Sequence, residues 1–175
     1  MKTLKKYFRF TCIFLLLTFL VPEFHVLANT QQPQLKSRFG DWNVFTHSEG
    51  DRNICYIAST PIKQDPKDKN WSPNFFISRI DMNYNQPSLN IGYKLKDGTS
   101  ISVKILNSTF AMTSNKNGVN AWLMTEDEEK KLVEAMKKGY QMIVKGTSEF
   151  GTNTTDHYSL KGVIRSLQEL DSVCS

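Results

Sequence analysis

Residues 139–162 read Gly-Tyr-Gln-Met-Ile-Val-Lys-Gly-Thr-Ser-Glu-Phe-Gly-Thr-Asn-Thr-Thr-Asp-His-Tyr-Ser-Leu-Lys-Gly, and this stretch decides the fold class. Gly139 is a stop for a preceding helix. A strand should follow at once, with Tyr140, Met142 and Val144 on one face. Glu149 to Asn153 carries the turn, and Thr154 to Leu160 reads as the returning strand. Gly162 opens a second helix that runs to Cys174. Two helices therefore flank a hairpin.

Working upstream, Thr125 starts the first helix. Thr-Glu-Asp-Glu sets Glu128 three residues after the cap, which is a capping box. Glu126, Asp127, Glu128 and Glu129 suit the positive helix start, and Lys137 and Lys138 suit the negative end. Leu132, Val133 and Met136 form the buried stripe. In the last helix Val163, Leu167, Leu170 and Cys174 fall on one face. Phe39 to Thr46, Ile54 to Ser59 and Phe75 to Met82 read as strands, with a turn at Asn83 to Pro87. The clearest alternation follows. Leu89, Ile91, Tyr93 and Leu95 share one face, and Ile101, Val103 and Ile105 share another. Asp97-Gly98 between them suits a tight hairpin. A second hairpin is expected about Asn117-Gly118, joining Phe110–Thr113 to Val119–Leu123. Trp42 and Trp122 are expected in the core.

These segments predict a mainly β (α+β) protein. About seven to eight antiparallel strands should form a sandwich or partly closed barrel. Two amphipathic helices should cover about 126–138 and 162–173. Thr60 to Pro73 breaks the pattern with Pro61, Pro66, Pro73 and several charges. It is the longest expected loop, lying outside the sheet. Its one aromatic, Trp71, is the candidate partner contact, because a tryptophan on a solvated loop is a common interface anchor. The alternative is that Trp71 folds back to cap the edge of the core.

The start of the chain has a different character. Lys2, Lys5, Lys6 and Arg9 precede the apolar run Phe10 to Val21, and Val26 and Ala28 occupy the −3 and −1 positions of a cleavage site. Residues 1–28 therefore read as a signal peptide removed after Ala28. Glu23 and His25 interrupt the run before it reaches the length of a membrane span. Residues 29–38 are expected to be a flexible arm, and 39–175 a single domain. The leader holds much of the formal +5 charge. In the rest, lysines alternate with acids, with no basic stripe for nucleic acid. Removal of the leader also removes Cys12 and leaves Cys55 and Cys174. Two cysteines in an exported chain are expected to pair. Metal binding would need more ligands at short spacing, and His47 and His157 lie near neither cysteine in sequence.

Asp156, His157 and Ser159 invite a hydrolase reading, since a nucleophile needs a base held by a third group. On a strand, however, Asp156 and His157 point to opposite faces. No Gly-x-Ser-x-Gly elbow is present. A hydrogen-bonded turn, with Asp156 and neighbouring threonines satisfying backbone N–H groups, is the preferred reading. No catalytic, cofactor or metal site is predicted.

Several segments together resemble the invasion-associated locus B proteins. They are Phe-Gly-Asp-Trp at 39–42, Cys-Tyr-Ile-Ala at 55–58, Gly-Tyr-Lys-Leu at 92–95 and Ala-Met-Lys-Lys-Gly at 135–139. Val-Lys-Gly-Thr-Ser at 144–148, Thr-Thr-Asp-His-Tyr-Ser-Leu-Lys-Gly at 154–162 and the terminal Cys174 complete the series. Many members carry a further cysteine where this chain has Phe45-Thr46, so the resemblance does not settle the Cys55–Cys174 bridge. It implies an exported α-proteobacterial envelope protein, periplasmic or secreted, and carries over no settled biochemical activity; from the residues themselves a non-enzymatic protein is expected. Such a protein would support host-cell invasion by binding an envelope or host-surface partner. The alternatives are a periplasmic housekeeping factor and a cell-wall hydrolase.

Overall fold

The computed structural model describes residues 32–174, except 50–51, 68, 82–83 and 116–117. The expected signal peptide and the first residues of the expected arm lie outside the described residues, as does Asn117.

The strands are β1 (Gln34–Phe39), β2 (Trp42–Glu49), β3 (Arg52–Ser59), β4 (Lys63–Asp65), β5 (Asn74–Asp81) and β6 (Tyr84–Asn90). They continue with β7 (Ile101–Ile105), β8 (Ser108–Ser114), β9 (Asn120–Trp122), β10 (Gln141–Thr147) and β11 (Asn153–Ser159). The helices are α1 (Glu126–Lys138) and α2 (Val163–Val173). Among the described residues the 11 strands run in the order β1-β2-β3-β5-β6-β9-β8-β7-β10-β11-β4. Every pairing is antiparallel. The expected α+β architecture is present, and the sheet does not close into a barrel.

β8 is the fold line. Its first part pairs with β7 and its last two residues pair with β9. The series turns over there, so β2 and β5 come to lie opposite β11. Trp42 Nε1 donates to the Ser159 carbonyl oxygen at 3.0 Å. The Phe75 and Tyr158 rings meet edge to face at 6.1 Å. The inner face carries Trp42, Val44, Ile57, Ile77 and Leu89, all essentially without solvent exposure. The outer face of the same strands carries a half-buried row, Phe45, Tyr56 and Phe76, with successive rings 5.2 and 5.9 Å apart. Trp42 lies in the core as expected. Trp122 does not: its register opposite Ser88 and Thr113 puts it on the outer face, half-buried.

Local chemistry accounts for α1. The Thr125 hydroxyl accepts the Glu128 N–H at 3.3 Å and donates to the Glu128 carboxylate at 3.2 Å. Gly139 ends the helix, but with extended angles (φ −88°, ψ 168°) rather than the left-handed stop. Space explains the glycine there. A Cβ would fall 2.6 Å from Ile105 Cγ2 and 3.0 Å from Leu160 Cδ1. Buried Glu129 accepts a hydrogen bond from the Tyr84 hydroxyl and ties α1 to β6.

Several further expectations are corrected. The flexible arm becomes strand β1 from Gln34 onward, because β2 offers it a complete edge. Phe39 to Thr46 is broken at Gly40-Asp41, between β1 and β2. The Asp97-Gly98 turn exists, but its hairpin does not form. β6 ends at Asn90, Gly92 takes φ 80°, and β7 pairs with β8 and β10 instead. Ile91, Tyr93 and Leu95 remain buried, so the alternation reported burial and not pairing. The expected turn at Asn83 to Pro87 is mostly strand β6. In the organising hairpin Met142 and Val144 are buried, while Tyr140 is 87% exposed and precedes the strand.

Candidate functional site

The inner face of β11 presents Thr154, Asp156 and Tyr158, all buried. Alternation puts these three side chains between the layers and sends His157 and Ser159 to the other face. The Tyr93 hydroxyl shares a 2.5 Å hydrogen bond with the Thr154 hydroxyl. Gly146, on the neighbouring β10, has no side chain because the Tyr93 hydroxyl and Ile91 lie where a Cβ would go. Glycine in a strand interior marks such a close approach.

Electrostatics in this cluster follow from burial. Asp156 is pushed up to about 6 by loss of solvent, against which a hydrogen bond from Gln64 works. Tyr93 rises to about 12, again through burial. Tyr158 is raised for the same reason, and its hydroxyl has no hydrogen-bond partner. A buried carboxyl without a cationic partner favours its neutral form. The buried Asp156 carboxyl therefore takes up a proton near pH 6, well above the range of a solvated aspartate. The cluster places no nucleophile beside a base.

Asp156, His157 and Ser159 are thus not brought together. The turn reading of Asp156 is corrected as well. It sits mid-strand opposite Gln64, because β11 continues through it and β4 pairs along its outer edge. Among the described residues no group of three or more His, Cys, Asp or Glu side chains could hold a metal.

Thr60 to Pro73 differs from the loop expected. Its β4 segment is the last strand of the sheet, and the Ile62 N–H donates to the His157 carbonyl at 2.7 Å. The segment bends back so that Trp71 packs on Tyr93, with ring centroids 4.4 Å apart. Trp71 is half-buried against the core and takes the capping position. Sequence reading missed Tyr93 and Gln64 as members of one cluster. The polar residues at i, i+2 and i+4 of β11, ending in a tyrosine, were the only local sign.

Cys55 and Cys174 form a disulfide with Cα atoms 6.0 Å apart and a sequence separation of 119. Cys55 is fully buried on the inner face of β3, and Cys174 follows the last turn of α2. The bridge and the Ser37–Glu169 hydrogen bond at 3.1 Å hold α2 over β1, β2 and β3, and the Arg79–Asp171 ion pair ties it to β5.

The protein is therefore a folded-over antiparallel sheet, with α2 and one disulfide holding its β1–β3 end and α1 packed on β6 and β8. A crystal structure of invasion associated protein B from Bartonella henselae has this fold, with a TM-score of 0.61 at 12% identity. The match covers 80% of this chain and 97% of that one. Neither a protein-family profile nor a curated protein matches the sequence. No helix among the described residues is long and apolar enough to cross a membrane.

Proposed function

We propose that this chain is an exported, non-enzymatic envelope or secreted protein that supports host-cell invasion by binding a protein or surface partner. The observation that carries the reading is the shared fold with invasion associated protein B over nearly all of that chain. The ordered segments from Phe39 to Cys174 support it. Export rests on the leader ending at Ala28 and is consistent with a disulfide, which persists in oxidising compartments. Asp156 and His157 point to opposite faces of β11, which supports a binding role over hydrolysis. The competing role is a housekeeping factor of the bacterial envelope.

Fractionation of the producing cell, combined with capture from host membranes by the mature protein, tests the reading. Export together with a specific host ligand is the expected result. Retention with bacterial envelope partners alone would transfer the protein to the housekeeping role. Cytoplasmic recovery with the leader intact would end both.

A further inference from the structure

The β7–β8 hairpin and α1 bound an open groove of about 620 Å³. Ile105, Leu106 and Phe110 line it from the hairpin, and Ala135 from the helix. That volume lies within the range of small-molecule sites. Its charged lining is three lysines, Lys130, Lys131 and Lys138, and one acid, Glu134. Ion pairs along α1 join Lys130 to Glu126, Lys131 to Asp127 and Lys137 to Glu134, and Lys138 takes no part in them. Leu106 stands at the groove, 57% exposed and with φ 51°. A bulky side chain in the left-handed region is strained, and asparagine or glycine would serve the turn better. Its exposed apolar surface adds nothing to the core. Strain and apolar exposure at one residue point to a contact outside the chain.

We propose that this groove binds an anionic amphiphile with a single acyl chain. The chain lies against Leu106, Phe110 and Ala135, and the head group is held at Lys138 with Lys130 and Lys131 beside it. Charge complementarity selects the anionic head. The apolar floor distinguishes the ligand from a free anion, and the lysines distinguish it from a neutral chain. This goes beyond the proposed invasion role and does not depend on it.

Titration of the mature protein with monomeric dodecanoate, followed by amide NMR and calorimetry, tests the proposal. Saturable binding of one molecule per chain is expected, with shifts centred on Leu106, Ala135 and Lys138. Dodecanol should bind at least about fivefold more weakly, as should dodecanoate to Lys138→Glu. Leu106→Asp should weaken binding at least about tenfold, with no loss of thermal stability. Should that variant fail to fold, the comparison of dodecanoate with dodecanol on the unaltered protein decides. Absence of saturable binding, equal affinity for dodecanol, or binding that both variants leave unchanged overturns the proposal. So does binding confined to anionic phospholipid vesicles or to an acidic peptide.

Discussion

The indole of Trp42 on β2 donates to the backbone oxygen of Ser159 at the end of β11, at 3.0 Å. This bond joins the two layers across the core. Asp41, the residue before it, donates its N–H to the Lys161 oxygen at 3.1 Å, so the chain beyond β11 is held at two successive points. Trp42→Phe keeps most of the apolar contact with Phe75 but leaves the Ser159 oxygen without this donor. The expected loss is about 2 kcal/mol by urea unfolding. An unchanged midpoint would show that the bond contributes little to the packing of the layers.

The disulfide closes a long loop and anchors α2 through Cys174, the residue that follows it. Cys174→Ser should lower stability by about 2 to 5 kcal/mol. Hydrogen exchange should show α2 losing protection before β2 and β3 do. The unaltered protein under reductant should show the same order of loss. Simultaneous loss throughout the sheet would mean that the helix is not an independently anchored unit.

Asp156 makes stability depend on pH in a direction opposite to that of most carboxylates. Its value rises on folding from 3.8 to about 6. Near pH 6 the folded protein therefore holds a proton that the unfolded chain has released. Stability should increase as pH falls from 7 to 5, by about 1.4 kcal/mol from this group. The gain continues towards the unfolded value and then levels off. Asp156→Asn keeps the size and a hydrogen bond with Gln64 while removing the titration. The variant should be more stable than the unaltered protein at pH 7, with the difference narrowing by pH 5. Parallel melting curves at both pH values would remove Asp156 as the titrating group.

Trp71 rests on Tyr93, which in turn contacts Thr154. Trp71→Ala should cost about 3 kcal/mol, because a half-buried ring and its contact with Tyr93 are both lost. Near-UV circular dichroism should also lose a tryptophan signal. A change within about 0.5 kcal/mol would return Trp71 to the role of an exposed contact.

By itself the sequence determined α1 from Glu126 to Lys138, α2 almost to the residue, and the β10–β11 hairpin. Caps, periodicity and turn residues act within a few positions of one another, so they are legible along the chain. It also marked most of the buried side chains, as Ile91, Tyr93 and Leu95 show. It did not determine their partners. Hydrogen bonding between strands depends on which edge is free after folding, and that is a property of the whole assembly. For this reason the expected hairpin at Asp97-Gly98 gave way to β7 pairing with β8 and β10, and residues 34–39 became an edge strand. Burial of Asp156 was decided in the same way. An aspartate between a threonine and a histidine reads as solvated or as part of a turn. Only the closure of β4, Tyr93 and the opposite layer over β11 removed its water and raised its proton affinity.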